Sequence, residues 1–214
     1  MSLMSKQNQI EPKNKMFIFC EGEKTEPLYL SSYISEYAGH KLKIISIPPT
    51  RKNTPVQLVD EAIAKKKSKE SLDGDVFWVV YDRESVSKYP RAKHAEAWNK
   101  AQKNGINVAI SNVCFEFWVL LHFEYTTQSY TSFKNLMSES NLKRHLINVG
   151  INNYDKGSDE LYFKIRKGIS KARIRAKKVN NHIMASSASG SQCFDYSPYT
   201  GVHELLDAID QFTG

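Results

Sequence analysis

Cysteine is scarce and scattered: Cys20, Cys114 and Cys193 are the only three in 214 residues, and none belongs to a C-x-x-C pair. Zinc ribbons and disulfide frameworks are therefore excluded as organising devices. Cys20 and Cys114 lie among apolar residues and read as buried, reduced thiols, which points to the cytoplasm. No apolar run approaches the ~20 residues needed to cross a bilayer, so no membrane partner is expected. Met1 to Lys15 lack the apolar stretch of a secretory signal. The opening Met-Ser-Leu before a second Met reads as a vector-derived extension and is set aside from the fold. A nucleotide-binding P-loop is missing as well: Gly22-Glu23-Lys24-Thr25 lacks the first glycine and its spacing.

What is present suits a packed α/β protein. Apolar residues make up 41% and aromatics 11%, enough to build a core and to rule out wholesale disorder. The net charge of +7 is unevenly placed. Residues 129–183 hold twelve Lys and Arg against four Asp and Glu, while the remainder holds eighteen against nineteen. The basic excess thus belongs to one late segment, the footprint of a phosphate-rich partner.

The first half alternates strands and helices. Met16 to Cys20 is an apolar run read as a buried strand, followed by a helix over about 26–37 with Leu30, Tyr33, Ile34 and Tyr37 at helical spacing. Lys41 to Ile47 reads as a second strand, and Pro55 opens a helix with a Lys-rich end. Val76 to Tyr81, with no polar alternation, predicts a central strand covered on both faces. A helix over 88–103, a strand over 106–110 and an apolar helix over 113–123 follow. Beyond Tyr125 the pattern predicts helices over 131–149, 159–183 and 201–212, with a Ser-rich loop between the last two. The expected architecture is a parallel sheet of about four strands flanked by helices (16–125), with a mainly helical, basic C-terminal region (126–214).

Polar clusters follow directly on three of these strands. Glu21 ends the first, Asp82-Arg83-Glu84 the third and Ser111-Asn112 the fourth. In a parallel sheet all of these gather at the carboxyl edge, where open α/β sheets bind ligands. Clustered carboxylates repel, and a hard divalent cation removes that penalty. Oxygen donors without Cys or His favour Mg²⁺ or Mn²⁺ over Zn²⁺. Glu21, Asp82 and Glu84 are accordingly the candidate ligands and catalytic acids. Glu26 either joins them or merely complements a helix N-terminus. Lys24 either meets a phosphate or pairs with a nearby acid.

Between Lys164 and Lys178 stand eight Lys and Arg and no acid. Leu161, Ile165, Ala172, Ala176, Val179 and Ile183 form a packing stripe, and Lys164, Lys167, Lys171, Arg175 and Lys178 share another face. With Arg173, these are the candidate contacts to a nucleic-acid backbone. A solvated face is the alternative. No base-reading or RNA-stacking motif is visible.

The segments Ile18-Phe19-Cys20-Glu21-Gly22-Glu23-Lys24-Thr25-Glu26-Pro27-Leu28-Tyr29, Ile110 to Phe123 and Ser197 to Leu205 resemble signatures of the RloB-like proteins. That family is regarded as Toprim-like (Rossmann-like), a metal-binding fold shared by topoisomerases, primases and related nucleases. The resemblance implies that Glu21 is the fold's strand-end glutamate and that Asp82 and Glu84 stand for its Asp-x-Asp pair, the second acid here being one methylene longer. It also implies a role in phage defence or abortive infection and a possible RloA-like ATPase partner. Within the second signature, Glu116 lies close to the sheet edge and is a further candidate ligand. His122, four residues after Trp118, reads as a core histidine packed on an indole. The function expected is a Mg²⁺-dependent (or Mn²⁺-dependent) nuclease acting on DNA or RNA, the metal activating water while the basic helix holds the strand. The alternative is a non-catalytic module that binds nucleic acid or an ATPase.

Overall fold

Strands apolar at every position must be covered on both faces, and a computed structural model, which describes residues 13–51, 54–85 and 87–214, shows that cover. The reading of the opening Met-Ser-Leu lies outside the described residues. The elements run β1 (Met16–Cys20), α1 (Thr25–Tyr37), β2 (Ile45–Ser46), α2 (Pro55–Lys66), β3 (Val76–Asp82), α3 (Arg91–Lys103), β4 (Asn107–Asn112) and α4 (Glu116–Leu121). They continue with α5 (Phe133–Glu139), α6 (Leu142–Asn148), α7 (Leu161–Ile165), α8 (Ile169–Ser186), β5 (Tyr199–Thr200) and α9 (Val202–Gln211).

The sheet order is β2-β1-β3-β4-β5; the first four strands are parallel and β5 is antiparallel to β4. Strand alternation divides the core into two layers. Met16, Ile18, Cys20, Trp78 and Val80 face α1, α4, α8 and α9. Phe17, Phe19, Phe77, Val79 and Tyr81 face α2 and α3. The first layer also takes in Leu136, Leu142, Leu146, Leu161 and Tyr162, so it runs without interruption across the 125/126 boundary drawn from the sequence.

From β1 the chain crosses outward to β2, then returns past β1 to reach β3. The neighbours β1 and β3 therefore send their connections to opposite sides, which opens a crevice at their carboxyl ends. Glu21 and Asp82 sit at those ends.

Several expectations are corrected. Lys41 to Ile47 is not a full strand: only Ile45–Ser46 pairs, and Gly39–Lys41 forms a 3₁₀ turn. There the buried Lys41 ammonium donates to the carbonyls of Ile209 (2.9 Å) and Asp210 (2.5 Å), capping the end of α9. The expected helix over 131–149 is two, broken at Ser140, whose backbone is extended and whose hydroxyl donates to Leu136 O at 2.6 Å. The helix over 159–183 is interrupted by a 3₁₀ turn at Arg166–Gly168. A Cβ on Gly168 would meet His122 O at 2.7 Å, so the glycine lets the start of α8 approach the end of α4.

The four parallel strands expected are present, and among the described residues a fifth, antiparallel strand joins them. Thr200 in β5 is held twice. Its hydroxyl lies 2.9 Å from that of Ser111, and the buried Asn180 side chain donates to Thr200 O (2.9 Å) and accepts from Thr200 N–H (3.2 Å). Asn180→Ala removes both amide contacts from a buried backbone. The expected outcome is a loss of roughly 1–3 kcal/mol, measured as a lower urea midpoint with the circular dichroism of the folded state retained.

Candidate functional site

The crevice between β1 and β3 holds a cavity of about 560 Å³ lined by Glu21, Glu26, Asp82, Glu84 and Glu116, with Lys24, Lys88, Tyr89 and Lys156 around them. Each acid arrives by a separate local device. Glu21 continues β1, its N–H bonded to Val80 O at 2.9 Å, and its carboxylate accepts the Asp82 N–H at 3.2 Å. Glu26 lies in the first turn of α1 and is buried. Its carboxylate passes close over Gly22, so a side chain there would require the Glu26 carboxylate to move. Glu84 adopts φ +57°, the left-handed region that non-glycine residues rarely enter. Its N–H donates to Val113 O at 2.9 Å, which holds the turn, and Lys88 donates to its carboxylate at 2.7 Å. Glu116 opens α4 and is wholly buried. Its Oε1 accepts from Tyr154 Oη at 3.0 Å, and its Oε2 has no hydrogen-bond partner.

Lys156 supplies countercharge from the loop between α6 and α7. Its ammonium is 3.6 Å from Glu116 and 3.9 Å from Asp82, and it rests over the Phe133 ring at 4.8 Å. Burial works to lower its pKa, yet the Glu116 and Asp82 carboxylates carry it above the ordinary lysine value. The acids respond in the opposite sense. Burial, reinforced by neighbouring carboxylates, raises Glu26 and lifts Asp82 well above the usual range. Burial pushes Glu21 up to about 7, against the opposing effects of the Asp82 N–H and Lys88.

All five candidate acids thus line one cavity, together with Lys24, whose methylenes pack on Gly157. The donor set is oxygen-only, and the buried Glu116 Oε2 accepts no hydrogen bond, its charge being met by the Lys156 ammonium at 3.6 Å; such oxygens suit a hard cation such as Mg²⁺ or Mn²⁺. Among the described residues, however, no three acids, histidines or cysteines are gathered closely enough to grip an ion as they stand. Lys88 was visible in the sequence, four residues after Glu84. Lys156 and Tyr154 were not, because a lysine and a tyrosine in an irregular loop carry no local signal of which acids they will meet.

The basic segment is divided by the fold. Lys164, Lys167, Lys171 and Lys178 are exposed. The two arginines turn to the protein instead: Arg173 donates to Asp207 (2.9 Å), Asp210 (2.8 Å) and Tyr33 (2.5 Å), and Arg175 to Leu121 O (2.8 Å). Of the face expected to contact phosphate, the four lysines are thus the exposed members, while both arginines are engaged within the protein. His122 is buried between Trp118 O and Tyr29 Oη, each 3.0 Å away, and burial lowers it to about 4, so it is a neutral core histidine.

Because folding raises Glu21 from 4.5 to about 7, the folded state holds a proton that the unfolded chain releases. The associated stability is complete below pH 4.5 and lost as pH climbs through about 7. Glu26 and Asp82 act in the same direction. In EDTA, Glu21→Gln is expected to flatten, without abolishing, the fall in melting temperature between about pH 5 and about pH 8. Differential scanning fluorimetry checks this; a variant whose slope equals the parent's would show that Glu21 does not titrate there.

No curated protein and no solved structure matches the chain. No helix among the described residues is long and apolar enough to cross a membrane. The family model for RloB-like protein, by contrast, matches residues 16–209, from the first residue of β1 into the last helix, and the chain belongs to that family.

Proposed function

We propose that this protein is a divalent-metal-dependent, Toprim-like nuclease that acts on nucleic-acid phosphodiesters, in the defence setting that its family resemblance suggests. The observation that carries the proposal is the convergence of five carboxylates on one cavity at the strand switch point, four of them reached from different elements and three with raised pKa values. Such a cluster is costly without a cation. Glu21, Glu26, Asp82 and Glu116 would hold it, with Glu84 at the rim paired to Lys88. A bound Mg²⁺ or Mn²⁺ would supply positive charge to offset that developing on the scissile phosphate. Lys156 and Lys24 line the same cavity and orient a phosphate group there. The exposed Lys164, Lys167, Lys171 and Lys178 extend the strand-holding surface.

Purified protein is expected to cleave DNA or RNA with Mn²⁺ or Mg²⁺ and to stop with EDTA. Glu21→Gln and Asp82→Asn should each lower cleavage at least ~100-fold with an unchanged fold. If either variant cleaves as well as the parent, the site assignment is wrong. Replacing Lys164, Lys167 and Lys171 with Glu should weaken oligonucleotide binding and shallow its salt dependence by about one unit of slope per lost phosphate contact; fluorescence anisotropy at several salt concentrations reads this.

One observation favours the second reading, a non-catalytic nucleic-acid-binding or ATPase-binding module: the Lys156 ammonium already serves as cation to Asp82 and Glu116. Calorimetry separates the two. A nuclease takes up Mn²⁺ with measurable heat, and Lys156→Met raises that affinity about tenfold, since no tethered ammonium then has to be displaced. A module gives no heat with either protein.

A further inference from the structure

Strand alternation at the end of β3 sends Asp82 and Arg83 to different sides. Asp82 reaches the carboxylate cavity, while Arg83 lines a second cavity of about 770 Å³, and Glu84 forms a wall common to both. The second cavity has a different chemistry. Arg83 is 7% exposed, and its guanidinium is held by two neutral acceptors, Phe194 O to Nε and Tyr89 O to Nη1, both at 3.0 Å. Among the described residues it enters no ion pair. The carboxylate that shares its cavity, Asp195, is clamped by Arg91 through two bonds of 2.6 and 2.7 Å and acts on Arg83 only through longer-range charge attraction. A buried guanidinium without a direct counterion attracts an anion, and its planar fork suits phosphate.

The remaining walls match what a nucleotide carries beside its phosphate. Ser132 accepts the Asn135 N–H at 3.1 Å, which leaves its own hydroxyl proton for another acceptor. Asn112 donates to Tyr196 O at 2.7 Å and keeps its side-chain oxygen. Ser129 stands at the rim, and the buried Tyr130 and Phe194 form part of the wall, the Phe194 ring being covered by Arg91 at 5.2 Å. The volume lies within the range of about 300–1,000 Å³ typical of small-ligand sites.

We propose that this second cavity binds a nucleoside phosphate, and that it seats the nucleotide next to the phosphodiester presented to the carboxylates. The seating half rests on the nuclease function proposed above; the binding half does not. Arg83 anchors the phosphate, and the Ser132 and Asn112 side chains meet sugar or base edges.

Calorimetry in EDTA with thymidine 5′-monophosphate, adenosine 5′-monophosphate and a 5′-phosphorylated trinucleotide tests the binding half. The full-length parent is expected to bind at least one probe, and Arg83→Met to weaken it. Because Arg83 also ties Tyr89 and Phe194 together, a second variant is needed, and Ser129→Trp fills the mouth from an exposed position. It should weaken probe binding at least ~10-fold while Mn²⁺ uptake at the carboxylates persists, and raise KM for oligonucleotide cleavage more than it lowers kcat. Binding of the trinucleotide alone supports a subsite for a chain, and equal binding of the mononucleotides supports a pocket that also takes free nucleotide. The proposal is overturned if no probe binds the parent, or if folded Ser129→Trp binds as tightly as the parent. Failure of metal uptake and cleavage with probe binding intact would sink the nuclease function and leave the pocket standing.

Discussion

The rest of the site depends on mutual repulsion among acids that the fold withdraws from water. Glu26, Asp82 and Glu116 are buried in one crevice with Glu21 beside them. Their charges cannot all persist there without compensation. Much of the surrounding detail answers that demand. Gly22 yields space to the Glu26 carboxylate, Tyr154 donates to Glu116, and Lys88 and Lys156 bring ammonium groups from two unrelated loops. The left-handed backbone at Glu84 belongs to the same arrangement, since it turns the chain away from β3 just where the acids meet. Strain of this kind costs on the order of 1 kcal/mol and persists because the Val113 carbonyl and Lys88 hold both sides of the residue.

The parts of the fold legible in the sequence were those written in short-range periodicity. Met16 to Cys20 and Val76 to Tyr81 announce buried strands by composition, and the polar residues that follow them announce the edge. Glu21, Glu26, Asp82, Glu84 and Glu116 could all be named as site candidates before any coordinates. What stayed hidden was set by distant partners. Tyr199–Thr200 is too short to show alternation, and it is a strand only because β4 and Asn180 bond it. The charge of Arg173 and Arg175 was visible, but its direction was not: α9 presents Asp207 and Asp210 to one, and α4 presents a carbonyl to the other. Lys41 looked like a strand residue for the same reason, because its cap on α9 lies far away in sequence.

The two cavities also show that the C-terminal half is more than a basic appendage. Tyr154 and Lys156 complete the carboxylate crevice, while Ser129, Ser132 and Phe194 wall its neighbour. The acids come from β1, α1, β3 and α4, and part of their surroundings comes from the loop between α6 and α7.

The pairing of β5 with β4 has a consequence for the order in which the molecule is made. At the other side of the sheet, β2 is two residues long and runs into Pro48-Pro49, a blunt border that offers little to a stray strand. The β4 border has no such protection of its own. Ser111 and Asn112 meet their partners only when Thr200 and Tyr199 have left the ribosome, close to ninety residues later. Throughout that interval a nascent chain carries the end of β4 without its antiparallel partner. The last stretch of synthesis therefore shields the chain from its neighbours, and a messenger truncated shortly before codon 199 yields a product prone to aggregate rather than a smaller working domain.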